Sequence, residues 1–232
     1  MRCSRIAVLA SGALAAIWAQ PAAASDLIPP SAPPQAPVYA PPPFTWTGFY
    51  AGGNIGWGWS SGSGTLWIVG LGPVPVSGDG NGFVGGAQLG YNWQSGPLVL
   101  GIETDFQGSS GSGDLNGPGV TGTLKTPWFG TVRGRIGYAR GEWLFYATGG
   151  GAYGEADYDG TLTTTGPFST DRTYWTWTVG GGVEAMFTDR WSAKLEYLYV
   201  GTPGDFPSPP GTIGVSGNVS TSLVRAGVNY HF

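Results

Sequence analysis

Apolar and polar residues alternate along eight separate stretches of this chain, most clearly in the last. Across 219–232, Ser222, Val224, Ala226, Val228, Tyr230 and Phe232 alternate with Leu223, Arg225, Gly227, Asn229 and His231. Successive side chains of a strand point to opposite faces, so one face here is mostly apolar and ends in two aromatics, while the other carries Arg, Asn and His. Repeated along a chain, this pattern suits strands with lipid outside and a polar lumen inside.

The phase can be written for the other seven stretches. Strand one, 46–59, puts Phe49, Ala51, Ile55 and Trp57 outward against Tyr50 and Asn54. Strand two, 82–94, sets Phe83, Ala87, Leu89, Tyr91 and Trp93 against Gln88 and Asn92. Strand three, 98–107, sets Leu98, Leu100, Ile102 and Phe106 against Glu103, Asp105 and Gln107. Strand four, 127–139, sets Trp128, Val132, Ile136 and Tyr138 against Thr131, Arg133 and Arg135. Strand five, 143–154, is blurred by Gly149, Gly150 and Gly151, and Trp143, Phe145, Ala147 and Tyr153 are assigned outward. Strand six, 174–187, sets Trp175, Trp177, Val179, Val183, Ala185 and Phe187 against Thr176, Thr178, Glu184 and Met186. Strand seven, 191–200, sets Trp191, Ala193, Leu195, Tyr197 and Tyr199 against Ser192, Lys194 and Glu196.

The connections alternate in length. Long ones, 60–81, 108–126, 155–173 and 201–218, follow the odd strands. Short turns at Ser95-Gly96, Arg140-Gly141 and Thr188-Asp189-Arg190 follow the even ones. Even-stranded outer-membrane barrels have this asymmetry, with short periplasmic turns and long outer loops. These turns pair Trp93 with Leu98, Tyr138 with Trp143 and Phe187 with Trp191, always on the face assigned to lipid. The expected fold is therefore all-β, an eight-stranded antiparallel up-and-down transmembrane barrel. A soluble lipocalin-like barrel is the alternative, disfavoured by the charges on the opposite face.

Composition sharpens this picture. The chain has 43 glycines, 11 Trp, 11 Tyr and 10 Phe, with 10% charged residues. The aromatics fall into two girdles, as expected of rings at both headgroup levels. A net charge of -4 without a Lys/Arg cluster lacks the footprint of a nucleic-acid binder. Arg2 and Arg5, the apolar run 6–18 and the small residues at 22–25 have the layout of a secretory signal, with cleavage expected after Ala24 or Ser25. The only cysteine, Cys3, lies in that leader. Proline crowds the next stretch, so 25–45 is expected to be a periplasmic tether in extended form, with the barrel spanning 46–232.

Candidate chemistry is sparse. Gly149, Gly151 and Gly154 fit G-x-G-x-x-G, but more strand follows where a dinucleotide site needs a helix. His231 is the only histidine, so no metal cluster of histidines can form, and its Ser-dependent use in a lipid-modifying enzyme is the enzymatic alternative. The expectation is no catalytic activity and no cofactor. Inward positions carry Glu103, Asp105, Glu184 and Glu196 against Arg133, Arg135, Lys194 and Arg225, with Glu184 and Lys194 direct cross-strand neighbours. Eight strands leave an interior only wide enough for side chains, which favours a plug over a pore lining. With lipid outside, Val179→Arg should cost more than the luminal Thr178→Arg.

The Trp46-Thr47-Gly48-Phe49-Tyr50-Ala51-Gly52 opening, Gly85-Gly86-Ala87-Gln88-Leu89-Gly90-Tyr91-Asn92-Trp93, Tyr146-Ala147-Thr148-Gly149-Gly150, Gly180-Gly181-Gly182-Val183-Glu184 and Leu195-Glu196-Tyr197-Leu198-Tyr199 together resemble the small outer-membrane β-barrel proteins of alphaproteobacteria. That porin-family group of surface antigens includes haemin-binding members. The resemblance implies an outer-membrane location and a structural or surface-interaction role in the envelope. Outer-membrane lipid, lipopolysaccharide and the barrel-assembly machinery are the implied partners. Tyr230 and Phe232 resemble the assembly signal of such barrels. Two alternatives stay open: a small porin, and a haemin-binding or adhesive surface protein, for which Tyr158 or Tyr174 could supply a phenolate.

Overall fold

The computed structural model describes residues 44–68, 72–162, 166–201, 205–206 and 214–232. The expected leader and nearly all of the tether lie outside these residues. The strands are β1 (Gly48–Ile68), β2 (Gly72–Ser95), β3 (Leu98–Gly117), β4 (Val120–Arg140), β5 (Trp143–Leu162), β6 (Gly166–Met186), β7 (Trp191–Gly201), β8 (Asp205–Phe206) and β9 (Gly214–His231). Each pairs antiparallel with its neighbour, the two-residue β8 pairs only with β9, and β1 pairs with β9 to close the ring. Eight strands therefore form the barrel wall.

Every phase read from the sequence holds. Leu89, Ile102, Ile136, Phe145, Val179 and Leu195 are exposed on the outer wall, whereas Gln88, Glu103, Arg135, Leu144, Thr178 and Glu196 are buried inside. Two aromatic rims bound the apolar wall. Phe106, Trp128, Tyr153 and Trp175 follow one another across β3, β4, β5 and β6, with centroids 5.5, 6.3 and 5.2 Å apart. Phe49, Tyr91 and Trp93 form part of the opposite rim, as do Trp191, Tyr230 and Phe232. The interval from Phe83 to Trp93 matches the about 9–11 residues with which a tilted strand crosses a bilayer core.

The strands do not stop at the outer rim. β1 to β6 run for 20 to 24 residues, so the long connections at 60–81, 108–126 and 155–173 are mostly ladder. β1 and β2, for example, stay paired out to Ile68 and Gly72. This extension carries the wall about 25 Å beyond the rim. Its strands had no legible period because glycine fills most inward positions of β1 and β2, such as Gly62, Gly64, Gly78 and Gly80, while their outer face is polar.

Two turns also differ from expectation. Ser95 pairs with Leu98 and Arg140 with Trp143, so the central pairs are Gly96-Pro97 and Gly141-Glu142 and each register moves by two residues. The faces are unaffected, since a shift of two keeps parity. Gly96 and Gly141 adopt φ of 58° and 60°, and Pro97 cannot follow with a positive φ. The glycine thus occupies the first central position, as a type II′ turn requires, rather than the second. The third turn is as expected, with the Phe187 N–H donating to the Trp191 carbonyl at 3.0 Å.

Candidate functional site: the luminal charge network

The barrel interior at membrane level is built in three layers. At the periplasmic end Trp46, Val99, Ala139, Leu144, Tyr146 and Met186 form an apolar cluster. At the level of the outer rim Val84, Phe129, Leu198 and Leu223 form another, with Val200 packed against it. The charged residues lie between them. β7 shows the order directly, as Ser192, Lys194, Glu196 and Leu198 point inward in succession.

Arg133 is the hub. Its Nη1 donates to Glu196 at 3.0 Å, its Nη2 to Glu103 and, at 2.9 Å, to Asp105, and its Nε to the Thr131 hydroxyl at 2.9 Å. Arg225 donates to Asp105 at 3.1 Å and to Glu196 at 2.5 Å. Lys194 Nζ donates to both oxygens of Glu103 at 3.0 Å. Arg135 bonds Glu184 and lies 3.7 Å from the centroid of the Tyr146 ring, a cation–π contact. The Tyr50 hydroxyl, which donates to Glu103 at 2.8 Å and accepts from Arg135 at 3.4 Å, joins the two halves.

The structure thus brings all eight predicted charges, Glu103, Asp105, Arg133, Arg135, Glu184, Lys194, Glu196 and Arg225, into one connected network. It pairs them differently from the sequence neighbours. Glu184 and Lys194 do stand opposite each other across β6 and β7, yet Lys194 bridges to Glu103 on β3 and Glu184 to Arg135 on β4. Ion-pairing side chains are between 0% and 3% exposed. A water-filled channel would leave its lining accessible to a water-sized sphere, and this lining is not.

Neutral groups extend the network. Asn54 donates to Gln88, Gln88 to Asn229 and Asn229 to Glu184. Trp46 is the residue that sequence reasoning missed. Just ahead of β1, it turns into the periplasmic mouth at 1% exposure, where its N–H donates to Gln94 Oε1 at 2.7 Å and its indole stacks edge-on against His231. Its inward parity relative to Phe49 was the available signal.

His231 Nε2 lies 3.0 Å from the Ser192 hydroxyl and 3.6 Å from Glu184, and Ser192 itself donates to Glu184 at 2.5 Å. One ring nitrogen faces both partners, whereas a nucleophilic triad uses the two nitrogens for different groups. Among the described residues no group of His, Cys, Asp and Glu is arranged to hold a metal. Tyr230 and Phe232 lie on the outer wall at the periplasmic rim, with Arg190 donating to the Tyr230 hydroxyl at 2.8 Å. Tyr158 and Tyr174 lie in β5 and β6 beyond the outer rim, and the Tyr158 side chain is outside the described residues.

A closed ring of strands with an apolar wall between aromatic rims and a paired polar core is the architecture of an outer-membrane barrel. Residues 10–232 match the family model described as outer membrane protein beta-barrel domain. The chain belongs to that family. Relatives include the 31 kDa outer-membrane immunogenic protein of Brucella melitensis, 38% identical over 97% of this chain and 98% of that one. The 25 kDa outer-membrane immunogenic protein of Brucella abortus is 29% identical over the full length of both. Among solved structures, the outer membrane protein OprG of Pseudomonas aeruginosa is similar at 12% identity and a TM-score of 0.48, covering 80% of this chain and 96% of that one. The protein is therefore an outer-membrane β-barrel of the cell envelope, with the structural and surface role that this family membership supports.

Proposed function

We propose that this barrel is a closed scaffold that passes no solutes and catalyses no reaction, and that its working surface is the outer extension. The observation that carries this reading is the charge network, paired throughout and shut between two apolar layers. Eight strands enclose room for side chains and little else, and here four acids and four bases occupy it. Opening a path would break ion pairs whose partners would then lie uncompensated in a poorly hydrated interior. The Ser192, His231 and Glu184 arrangement supports the absence of hydrolysis, since Ser192 is fully buried and directed at a carboxylate.

Lipid and lipopolysaccharide would meet the wall at its aromatic rims, and the barrel-assembly machinery would read the terminal Tyr230 and Phe232. Deleting Phe232 removes an N–H bond to the Phe49 carbonyl and a ring that is largely exposed. It should slow assembly far more than it lowers the stability of the inserted barrel, as followed by heat-modifiable gel migration over time. Equal assembly rates would remove the signal role. The scaffold reading itself is tested by single-channel recording in planar bilayers. The expected result is no steady conductance from the native chain. A steady, large conductance whose selectivity follows the sign of a removed luminal charge would make it a porin.

A further inference from the structure

Two carboxamides of the membrane-level lumen stand outside its hydrogen-bond network. Asn92 on β2 and Gln107 on β3 are both 0% exposed, and among the described residues neither the oxygen nor the nitrogen of either amide meets a protein partner. A buried polar group left unpaired costs more free energy than a made hydrogen bond contributes. Folded proteins therefore satisfy nearly all such groups, with ordered water where no protein group reaches them.

Each amide leans over a glycine towards a second atom in the same condition. Asn92 stands opposite Gly101 of β3, and Gly101 stands opposite Arg135 of β4. A Cβ on Gly101 would collide with Asn92 Oδ1, and the Arg135 Nε beyond it has no partner among the described residues. The second site repeats this plan. Gln107 stands opposite Gly86 of β2, and Gly86 opposite Asn54 of β1. A Cβ on Gly86 would come within 2.9 Å of Gln107 Oε1, and Asn54 Oδ1 is unpartnered, as is Asp105 Oδ1 two residues before Gln107 on the same face. Alternate strands lie about 9.5 Å apart, and in both places the strand between them carries no side chain into that interval. Each site lies where the charge network meets an apolar layer. Arg135 packs on Tyr146 of the periplasmic cluster, and Gln107 stands opposite Phe129 of the outer one.

We propose that each of these two sites binds a sealed water molecule, which bridges alternate strands across the intervening glycine. The occupant must both donate and accept. At the first site Arg135 Nε donates and Asn92 Oδ1 accepts; at the second Gln107 Nε2 donates and Asn54 Oδ1 accepts. A chloride ion would leave the amide oxygens unsatisfied, and an ammonium or metal cation would leave the N–H groups so. Water serves both roles and is small enough for the space that a missing side chain leaves. The two waters complete the polar plug at its periplasmic and outer boundaries. The proposal rests on the closed-lumen reading in that only a shut lumen keeps them from exchanging freely with solvent.

The experiment uses the full chain folded in detergent micelles, with isotope-labelled Asn and Gln side chains and magnetisation transfer from water to the carboxamide protons measured by NMR. Asn92 and Gln107 should both show water contacts with the sign of contacts inside the protein, which marks a water that stays longer than the molecule takes to tumble. Contacts with the opposite sign mean freely exchanging water and would overturn the closed lumen together with this proposal. Absence of a water contact at either carboxamide, in a barrel that does not conduct, would overturn this proposal alone. Stability supplies a second reading. Asn92→Leu and Gln107→Met keep the side-chain shape but strand the water and the atom across the glycine, so each should lower the folding equilibrium constant about tenfold. If the sites were dry, the same changes would remove an orphaned amide, and unchanged or raised stability would overturn the proposal.

Discussion

Below the outer rim the strands of this barrel enclose interlocked charge, and above it the same strands turn inward mostly glycine and a few small apolar side chains such as Val74, Val76 and Ala156. The ladder is continuous between the two regions, so backbone pairing does not distinguish them. Inward side chains do. Arg133, Arg225, Glu196 and Lys194 are each at most 4% exposed, whereas Val219, also inward by alternation, is 36% exposed. Hydrogen bonding therefore sets the height of the wall, and side-chain volume sets where it is plugged.

The largest expected effect comes from breaking the plug at its hub. Arg133→Met removes bonds to three carboxylates and should cost about 3–5 kcal/mol, the usual loss when one partner of a buried pair is removed. Adding Glu196→Gln should recover part of that loss in a urea titration of the refolded protein. Independent, additive losses would mean that the network is not coupled. At the periplasmic mouth, Trp46→Ala should cost about 3 kcal/mol through lost packing, measured in the same titration. A loss near zero would detach Trp46 from the closure.

Next come the two faces of β6. Val179→Arg places a charge in lipid near mid-membrane and should cost about 2–4 kcal/mol. The sequence led to the expectation that Thr178→Arg, on the luminal face, is the milder change. The structure revises it. Thr178 is 1% exposed and its hydroxyl donates to the Tyr199 carbonyl at 3.1 Å, so an arginine there overpacks a filled interior and should destabilise the barrel comparably. A nearly neutral Thr178→Arg in equilibrium unfolding would point to an open lumen.

The smallest effect lies in the extension. Asp79 and Asp114 are directly opposite across β2 and β3, and like charges so placed repel. Asp114→Asn should stabilise by about 0.2–1 kcal/mol, with the gain shrinking at high salt. A loss of stability would show that the pair has a favourable role.

What could be read in the sequence divides along the same line as the structure. Between the rims, apolar and charged residues alternate because lipid and lumen impose opposite chemistry, so Phe145, Val179 and Val224 could be assigned to a face without coordinates. Beyond Trp59 that contrast vanishes. Ser61, Gly62, Ser63 and Gly64 read as loop, although they are strand. The eight luminal charges were identifiable by parity. Their partners were not, because Lys194 meets Glu103 across the lumen, and which strands face one another there depends on the stagger of the closed barrel rather than on neighbouring registers.

The most direct test compares water access to the two interiors. Cys3 is the only native cysteine, so with Cys3→Ser as background, Thr178→Cys and Val219→Cys report on the membrane-level lumen and on the interior of the outer extension. A small charged thiol reagent should label Val219→Cys rapidly and leave Thr178→Cys unmodified over the same time in the folded barrel, while both react after unfolding. Labelling of folded Thr178→Cys at a rate comparable to Val219→Cys would contradict the closed lumen.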